Sequence, residues 1–370
     1  MPKIKIPWAY PDIGQKELNE ILNSFQSGWL TMGPKVTQLE NKFSSFLNAP
    51  YSVAVSNGTV ALDLSLKALG VGPGDEVIVP ALSFFATASA VNYQSAIPVF
   101  VDVDKNTFNL NPKCIGEAIT KKTKAIIFID YGGNPADFDE LKKVGQRYGV
   151  PLIQDSAQSL GGIYKGKPMG AQAPIATMSF HMAKVMTTIE GGMIFCRRYK
   201  IYNDLVSRRN HGEHRSKKYH HIVLGTNARM TDLQAGIGLA QFKQLSKFIE
   251  QRKKIASHYN DIFSCNNAEI QVAQTPYPNS SNAYFFYPIL IENRNKIAKK
   301  LLEKYGIDTR IAYPMPLWKQ RIYVEQKQPF RRMECPVTEY VTSRILNLPI
   351  YPSMTQKMVE FVGKAVLKEM

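Results

Sequence analysis

The sequence predicts an α/β fold with a mainly parallel β-sheet that helices cover on both faces. Continuous apolar runs alternate with helical patterns through the first half of the chain, as at residues 76–80 and 97–103. Strands buried on both faces read as unbroken apolar runs, whereas half-exposed strands alternate apolar and polar residues. Because functional groups gather at the carboxyl ends of such strands, polar residues that follow the runs are the first candidates for a site.

The chain has 370 residues, which is enough for about two domains and a substantial core. We predict a large domain at 1–245 and a smaller α+β domain at 246–370, with the N-terminal segment packed on the smaller one. No apolar run reaches the roughly 18 residues of a membrane span. Residues 1–7 lack the apolar core of a secretory signal, so the expected location is the cytoplasm.

The net charge of +16 is spread over scattered basic doublets. Clustered charge would favour nucleic acid, whereas diffuse charge attracts small anions, and no nucleic-acid motif accompanies these doublets. We therefore expect neither a nucleic acid nor a membrane as a partner. The four cysteines, Cys114, Cys196, Cys265 and Cys335, form no CxxC pair. Their spacing argues against a zinc site and against a disulfide framework.

Two helices are predicted within residues 15–48, separated by a Gly-containing break at 27–34. Their apolar residues recur at a spacing of three or four, and they are Leu18, Ile21, Leu22 and Phe25, then Val36, Leu39, Phe43 and Phe46. Trp29, within the break, belongs either to the core or to the lining of a pocket.

A short strand at 51–55 runs through Ser56-Asn57-Gly58-Thr59 into a helix. This geometry presents free backbone N–H groups at a helix N-terminus, which is a ready anion site. Gly58 would let a phosphate approach the backbone, and Thr59 would add a hydroxyl donor. The alternative is a plain helix cap at Ser56 or Asn57.

More buried strands follow, and helices separate some of them. The strands are predicted at 76–80, 97–103, 125–129, 151–153 and 175–180, and the helices at about 83–93, 113–120 and 137–149. Asp155, Ser179 and Lys184 closely follow strand ends, as does Thr59. These residues are therefore candidates for a common site.

The segment 207–221 is polar and basic and holds four of the six histidines. No carboxylate or thiol spacing supports a metal site there, and basic neighbours repel metal cations. We favour a mobile loop that approaches anionic substrate phosphates, and a solvated loop is the alternative.

A helix capped by Thr231 or Asp232 follows this segment. Its small residues, Ala235, Gly236, Gly238 and Ala240, predict close packing against another helix. A helix at 245–263 then leads into the second domain. The elements predicted there are a strand at 283–291, a helix at 293–305, a strand at 346–350 and a final helix from about 355.

Lys184 lies in an otherwise uncharged stretch between Ser179-Phe180-His181 and Glu190-Gly191-Gly192. Asp155 ends an apolar strand about thirty residues earlier. A lysine that can bond to an aldehyde and an acid that can hold a pyridine nitrogen are the two groups that pyridoxal phosphate (PLP) needs. A surface lysine and a helix-capping aspartate are the plain alternatives.

Many such stretches, taken in order, resemble the DegT/DnrJ/EryC1/StrS family of sugar aminotransferases, with a likeness to perosamine synthases. The matching stretches are 56–62, 74–80, 98–104, 133–137, 155–158, 179–184, 190–192, 227–230 and 348–350. The resemblance runs from about residue 13 to residue 355. It implies the fold type I (aspartate-aminotransferase-like) architecture of PLP enzymes, with a seven-stranded sheet, and a homodimer with active sites at the subunit boundary.

The resemblance also implies roles for individual residues. Lys184 would carry PLP covalently, Asp155 would bind the pyridine nitrogen, and Gln158 would lie against the ring or its phenolic oxygen. The residues implied for the phosphate are Gly58, Thr59 and Ser179, with Asn227 from the neighbouring subunit. An aromatic residue would stack on the ring, either Phe84, which matches the family position, or the adjacent Phe85. Burial beside a cationic ring would lower the pKa of Lys184, which would then act as general acid and base.

Substrate contacts are predicted at Arg229, His181 and Tyr313, with Arg229 and the basic segment 208–218 as candidates for a diphosphate. The implied reaction transfers an amino group from L-glutamate to a nucleotide-linked keto sugar for surface polysaccharide or related glycan synthesis. The stretches 130–135 and 187–192 are similar to members that act at C4 of 4-keto-6-deoxy sugars.

Three alternatives stay open. Members that act at C3 share most of these residues. PLP-dependent nucleotide-sugar dehydratases resemble the chain but have histidine where Lys184 stands. A non-enzymatic regulatory protein would account for the basic charge but not for a complete set of cofactor residues.

Overall fold

The fold is described from a computed structural model that covers residues 4–265 and 270–370. Residues 1–3 and 266–269 lie outside the described residues. The start of residues 1–7, for which no secretory signal is expected, therefore lies outside the described residues, as do parts of both predicted domains.

Helices and strands alternate through the first half of the chain, as predicted. The helices are α1 (Gln15–Ser27), α2 (Pro34–Leu47), α3 (Gly58–Ala68), α4 (Ala86–Asn92), α5 (Ile115–Ala118), α6 (Phe138–Tyr148), α7 (Tyr199–Arg209), α8 (Asp232–Phe242), α9 (Leu245–Cys265), α10 (Arg294–Lys300), α11 (Arg321–Val324), α12 (Pro336–Arg344) and α13 (Gln356–Glu369). The strands are β1 (Tyr51–Val55), β2 (Glu76–Pro80), β3 (Ile97–Val101), β4 (Thr123–Ile129), β5 (Leu152–Asp155), β6 (Ile163–Tyr164), β7 (Lys167–Pro168), β8 (Ile175–Ser179), β9 (Gly192–Cys196), β10 (Glu213–His214), β11 (Lys217–His221), β12 (Gln271–Val272), β13 (Tyr287–Leu290), β14 (Arg331–Arg332) and β15 (Ile345–Leu348).

The large sheet has the strand order β1-β9-β8-β5-β4-β2-β3-β14. Only β9 runs against its neighbours, since it pairs antiparallel with both β1 and β8 while the other pairs are parallel. The mainly parallel sheet predicted from the apolar runs is therefore confirmed. The sequence patterns did not predict β9 itself or the helix α7 that follows it.

Within the described part of the chain the sheet has eight strands, so the predicted number of seven is wrong by one short edge strand. The extra strand, β14, pairs with β3 through Arg331 opposite Val99. It is held at the edge because the Arg331 guanidinium binds the Glu76 carboxylate at 2.5 Å. A two-residue strand that joins the sheet from more than 200 residues downstream leaves no local apolar pattern.

Helices cover both faces of the sheet, and the strands supply alternate residues to the two sides. Val53 and Val55 of β1 pack into the core beneath α3, α4 and α7. Ala54 belongs to the opposite core, which includes Leu39 of α2 and Leu239 of α8. Continuous burial along β1, β2 and β3 follows from this two-sided cover.

The predicted close packing of α8 is present. A Cβ at Gly238 would lie 2.8 Å from Thr188 and 3.0 Å from Leu39 of α2. Thr231 caps α8, since its hydroxyl accepts a hydrogen bond from the Gln234 amide at 3.2 Å. Asp232, the other candidate cap, instead serves α2, where its carboxylate accepts bonds from the three backbone amides of Gly33, Lys35 and Val36 at 2.8, 3.1 and 3.0 Å.

The C-terminal part has its own antiparallel sheet, β12-β13-β15, packed against α9 and α13 around Tyr259 and Ile289. Ile6 near the N-terminus pairs with Ile307 of this part. Trp318 and Tyr323, by contrast, pack on Phe100 of the large sheet. The domain limits at residue 245 stay a prediction.

The apolar face predicted for α1 does not enter the core. Leu18, Leu22 and Phe25 are about half exposed, at 46%, 49% and 60%. Trp29 is also exposed, so the prediction that it might be a core residue is wrong. Leu30 is exposed as well, and we call these five exposed apolar side chains, which lie on α1 and just after it in the chain, the α1 patch.

Within residues 4–265 and 270–370, no helix has the length and apolar character needed to cross a bilayer. The cytoplasmic location stays a prediction. Over the same described ranges, no group of three or more His, Cys, Asp or Glu residues could hold a metal ion. All four cysteines are free thiols.

Candidate functional site

The site lies where two neighbouring strands of the large sheet end. Asp155 is the last residue of β5 and Ser179 is the last residue of β8, and the two strands pair side by side with Asp155 opposite Thr177. Lys184 follows β8 after a short turn in which its amide donates to the His181 carbonyl at 2.9 Å. The strand-end rule thus placed these residues correctly at one edge.

The Lys184 side chain is half-buried, and its amine contacts an aromatic ring. Its Nζ is 4.3 Å from the centre of the Phe285 ring, a contact that the sequence did not predict. Burial lowers the pKa of Lys184 to about 8, while the negative charge of Asp155 acts in the opposite direction. A substantial fraction of the side chain is therefore the neutral, nucleophilic amine at mildly alkaline pH.

Asp155 is buried, and two donors hold its carboxylate. Oδ1 accepts a hydrogen bond from the Ala157 amide at 3.1 Å, and Oδ2 accepts one from the Thr87 hydroxyl at 3.2 Å. Burial raises the pKa of Asp155, while the Ala157 amide, the charge of Lys184 and the Thr87 hydroxyl all lower it. A buried carboxylate with fixed donors is well placed to accept a further bond from a cationic ring N–H.

The start of α3 has features of both predicted alternatives, a helix cap and an anion site. Asn57 caps the helix, because its side-chain oxygen accepts a hydrogen bond from the Val60 amide at 2.9 Å. Gly58 begins the helix directly beside Ser179, and a Cβ at Gly58 would lie 2.9 Å from the Ser179 Cβ. The first-turn backbone of Gly58 and Thr59 and the Ser179 hydroxyl therefore form one small polar cradle.

Gln158 connects the large sheet to the C-terminal part. Its side-chain oxygen accepts a bond from the Gly132 amide at 2.7 Å, and its side-chain nitrogen donates to the Tyr313 hydroxyl at 3.2 Å. The Tyr131 hydroxyl donates to the Ala312 carbonyl and so holds the backbone next to Tyr313. Gln158 and Tyr313 are thus brought together from positions 155 residues apart.

Phe84, rather than Phe85, is available to stack on a ring. Phe84 is 55% exposed, and its ring centre lies 6.0 Å from that of Tyr313. Phe85 is half-buried and packs instead against the hydrophobic core, with its ring 6.2 Å from Tyr323.

The predicted substrate residues His181 and Arg229 lie in different surroundings. His181 is exposed, and its Nε2 is 3.7 Å from the Glu190 carboxylate. Arg229 pairs through its backbone with Val55 and donates to the Asn210 side chain at 2.5 Å. Asn227 is exposed and pairs through its backbone with the same Asn210.

Residues 213–221 of the basic segment form a β-hairpin rather than the predicted loop, and residues 207–209 end α7. Strands β10 and β11 pair antiparallel, with Glu213 opposite His221, and the whole of β11 is exposed. Two of the basic residues proposed for a diphosphate are engaged elsewhere. Arg208 pairs with Asp204 at 2.6 Å. Arg209 is buried and binds Glu40 at 2.6 Å. The diphosphate contacts of Arg229 and of the basic segment stay a prediction.

Thr87 and Phe285 are site residues that sequence reasoning missed. Thr87 carries a buried hydroxyl in an apolar helix, four residues after the similarly buried Ser83. Buried hydroxyls with this spacing were a usable signal, because a buried polar group needs a partner. Phe285 lay in a predicted strand and gave no such signal.

The groups at this edge of the sheet fit PLP, which has an aldehyde, a basic ring nitrogen and a phosphate. The part-neutral amine of Lys184 suits the aldehyde, and the buried carboxylate of Asp155 suits the nitrogen. Gly58 has no room for a side chain beside Ser179, as expected for a backbone that an anion approaches. Phe84 offers an exposed aromatic face.

Comparisons with known proteins agree with the resemblance found in the sequence. The model of the DegT/DnrJ/EryC1/StrS aminotransferase family matches residues 11–367. UDP-2-acetamido-2-deoxy-3-oxo-D-glucuronate aminotransferase of Pseudomonas aeruginosa is 35% identical over 92% of this chain and 92% of its own length. GDP-perosamine synthase of Escherichia coli O157:H7 is 34% identical over 98% of this chain and 97% of its own.

Among solved structures, the GDP-4-keto-6-deoxy-D-mannose-3-dehydratase of E. coli with bound hydrated PLP shares the fold. It has a TM-score of 0.91 and 26% sequence identity, and the match covers 98% of this chain and 100% of that chain.

Proposed function

Because the chain belongs to the DegT/DnrJ/EryC1/StrS aminotransferase family, we propose that it transfers an amino group from L-glutamate to a keto carbon of a nucleotide-linked sugar. The enzyme is a PLP-dependent sugar aminotransferase. One observation carries the proposal for the site: the Lys184 amine, with its pKa lowered by burial, lies close enough to the buried Asp155 carboxylate for their charges to interact.

The proposed cofactor contacts follow from this arrangement. Lys184 would hold PLP covalently, Asp155 would accept the ring N–H, and Phe84 would lie against the ring. The residues proposed for the phosphate are Gly58, Thr59 and Ser179, together with Asn227 of a second subunit. Once bound, the protonated ring acts as an electron sink for the negative charge that develops at the substrate carbon.

Lys184 has a second proposed task, which is to move the proton at the substrate carbon. Burial keeps part of its amine neutral, and a pKa of about 8 is close to the range in which a general base works well at physiological pH. The contact of Nζ with the Phe285 ring keeps the freed amine next to the site. Gln158, fixed at both ends by Gly132 and Tyr313, would orient the ring from the side.

We propose C4 of a 4-keto-6-deoxy sugar as the position that receives the amine. The support is the likeness of the stretches 130–135 and 187–192 to members that act there. The second candidate is C3, which the name of the 35% identical P. aeruginosa relative favours because it specifies a 3-oxo sugar. A dehydratase is disfavoured because a lysine stands at position 184, where dehydratases of the family have histidine.

The proposed diphosphate contacts are Arg229 and the exposed basic side chains of the hairpin, including Arg215 and Lys217. Diffuse positive charge would attract a nucleotide sugar from solution. A role in surface polysaccharide synthesis is consistent with a 32% identical relative from Bacillus subtilis that is named a spore coat polysaccharide biosynthesis protein.

A homodimer is part of the proposal. The α1 patch, which includes Leu22 and Phe25, exposes apolar side chains of a kind that usually mark an interface. A second copy would cover it and would bring its own Asn227 to the phosphate. Sedimentation of the wild type should give a dimer, and Leu22→Glu with Phe25→Glu should give a monomer. A wild-type monomer would contradict this part of the proposal.

A substrate panel tests the proposed reaction directly. The PLP-loaded enzyme is incubated with glutamate and with 3-keto and 4-keto sugars linked to uridine, guanosine or thymidine diphosphate. We expect one 4-keto sugar to yield the 4-amino sugar, and we expect Lys184→Ala to abolish both the product and the absorbance band of covalently bound PLP. Failure of the protein to bind PLP would contradict the whole proposal, and an amine found only at C3 would contradict the regiochemistry.

A further inference from the structure

Thr87 lies behind Asp155 in a position that none of the predicted cofactor contacts uses. Its side chain is fully buried, and its hydroxyl donates to Oδ2 of Asp155 at 3.2 Å. The Ser83 hydroxyl, also buried, lies 2.7 Å from the Thr87 hydroxyl. Since the Thr87 proton is committed to the carboxylate, Ser83 must donate to Thr87. The three groups form a chain of hydrogen bonds that ends on the carboxylate.

The same turn of chain carries the residue proposed to stack on the ring. The Thr87 amide donates to the Phe84 carbonyl at 3.1 Å, so Phe84 and Thr87 belong to one turn at the start of α4. One side chain of this turn is exposed at the site, and the other reaches the Asp155 carboxylate from behind. This one turn therefore supplies both Phe84, proposed to stack on the ring, and the hydrogen bond to Asp155, proposed to bind the ring nitrogen.

We propose that Thr87 is a positioning residue that keeps Asp155 ionised and oriented towards the ring nitrogen of the cofactor, with Ser83 supporting it. This inference rests on the proposed role of Asp155. Burial alone favours the neutral acid, which cannot accept the ring N–H as an anion does. A buried donor to the carboxylate favours the charged form, because hydrogen bonds to an ionised group are the strong ones.

Other groups also act on this carboxylate, and they set the background for any pH measurement. Lys184 lowers the pKa of Asp155, and the Ala157 amide does so as well. Asp130 and the phenol of Tyr313 interact electrostatically with Asp155. The negative charge of Asp155 raises the pKa of both groups. Thr87 is an uncharged member of this set, so its removal changes no charge.

The test is the affinity of the full-length apoprotein for pyridoxamine 5′-phosphate, which has the ring and phosphate of PLP but no aldehyde to bond to Lys184. Calorimetric titrations are run across a range of pH for the wild type, Thr87→Val and Thr87→Ser. Valine matches the shape of threonine but donates no hydrogen bond, whereas serine keeps the hydroxyl. We expect Thr87→Val to weaken binding by about ten-fold and Thr87→Ser to bind nearly as the wild type does.

The pH dependence separates a positioning role from a structural one. Removing a donor raises the pKa of Asp155, so the loss of affinity on acidification should begin at higher pH in Thr87→Val than in the wild type or in Thr87→Ser. Ser83→Ala should also move the onset of this loss to higher pH, by a smaller amount. The inference would be overturned if affinity began to fall at the same pH in Thr87→Val as in the wild type. If the valine variant does not fold, the same pH for Ser83→Ala and the wild type would overturn it.

Asp155→Asn distinguishes failure of this inference from failure of the proposed site. If Asp155→Asn weakens binding and Thr87→Val does not, only the role of Thr87 is wrong. If Asp155→Asn binds pyridoxamine 5′-phosphate as the wild type does, the proposed partner of the ring nitrogen is wrong as well.

Discussion

The candidate cofactor site and the basic hairpin are organised in opposite ways. At the site, Asp155 is 4% exposed and both of its carboxylate oxygens accept hydrogen bonds. On the hairpin, by contrast, every residue of β11 is exposed. Contacts within one chain therefore fix the carboxylate proposed to hold the ring nitrogen, whereas the hairpin side chains proposed to meet the substrate are exposed. Chemistry needs fixed geometry, and capture of a diphosphate needs mainly charge.

Two adjacent arginines show the same contrast at closer range. Arg209 is buried and binds both the Glu40 carboxylate and the Ala54 carbonyl, at 2.6 and 2.9 Å. Arg208 makes a more exposed pair with Asp204 one turn back on α7. Arg209 thus fastens α2 and β1 to α7, whereas Arg208 bonds within its own helix and to the Leu224 carbonyl that follows the hairpin.

The largest effect is expected at Lys184. Lys184→Ala removes both the covalent attachment and the proposed base, so glutamate-dependent turnover should fall by about 10³-fold or more. Lys143→Ala makes the same chemical change at an exposed lysine of α6, outside the proposed site, and is the matched control. Steady-state rates with a saturating keto sugar measure both variants. Comparable rates for the two variants would contradict the distinction between the buried and the exposed lysine.

The next effect concerns stability. Arg209→Ala removes the cation paired with the largely buried Glu40 carboxylate, which keeps the Ala54 amide as a donor, and should lower the free energy of unfolding by about 3 kcal/mol. Arg208→Ala removes a partly exposed pair within one helix and should cost about 0.5 kcal/mol. Denaturant unfolding of the two apoproteins gives both values. Equal losses would show that the burial of Arg209 does not matter.

These contrasts mark how far the sequence could predict the molecule. The parallel sheet and the residues at strand ends could be predicted, because buried strands leave continuous apolar runs and Asp155, Ser179 and Thr59 lie next to them. Contacts that join distant segments could not. Gln158 with Tyr313, Lys184 with Phe285 and the capping of α2 by Asp232 depend on packing that no local spacing records.

The exposure of α1 could not be foreseen for a similar reason. An apolar helical face predicts burial, but the spacing of Leu18, Leu22 and Phe25 does not say whether the face packs into the core of its own chain. Burial in the core and burial in an interface leave the same pattern in the sequence.

A pH measurement sharpens the account of the buried pair. The rate at which the apoprotein bonds covalently to PLP, trapped by borohydride and counted by mass spectrometry, should rise with pH around a midpoint of about 8, the pKa of Lys184. Asp155 favours the charged amine, so Asp155→Asn should move this midpoint to lower pH. Asp139→Asn removes an exposed carboxylate paired with Lys165 and should leave the midpoint in place. A midpoint that rises in Asp155→Asn would contradict the assigned coupling.

The smallest effects are expected on the hairpin. Arg215→Gln and Lys217→Gln should each raise the KM for the nucleotide sugar by up to about five-fold, because exposed charge contacts contribute little individually. The effect should shrink as salt screens the charges. The KM for glutamate, which carries no diphosphate, should change less. Equal changes in the two KM values would argue against diphosphate binding at the hairpin.

Transfer of isotope tests the central claim most directly. The PLP-loaded enzyme is supplied with ¹⁵N-labelled L-glutamate and the accepted keto sugar, and the product is examined by NMR spectroscopy. We expect ¹⁵N bonded to C4 of the sugar and 2-oxoglutarate formed in equal amount, with neither product when Lys184→Ala replaces the wild type. A sugar product without ¹⁵N, or labelled product at the wild-type rate from the Lys184→Ala variant, would contradict the account.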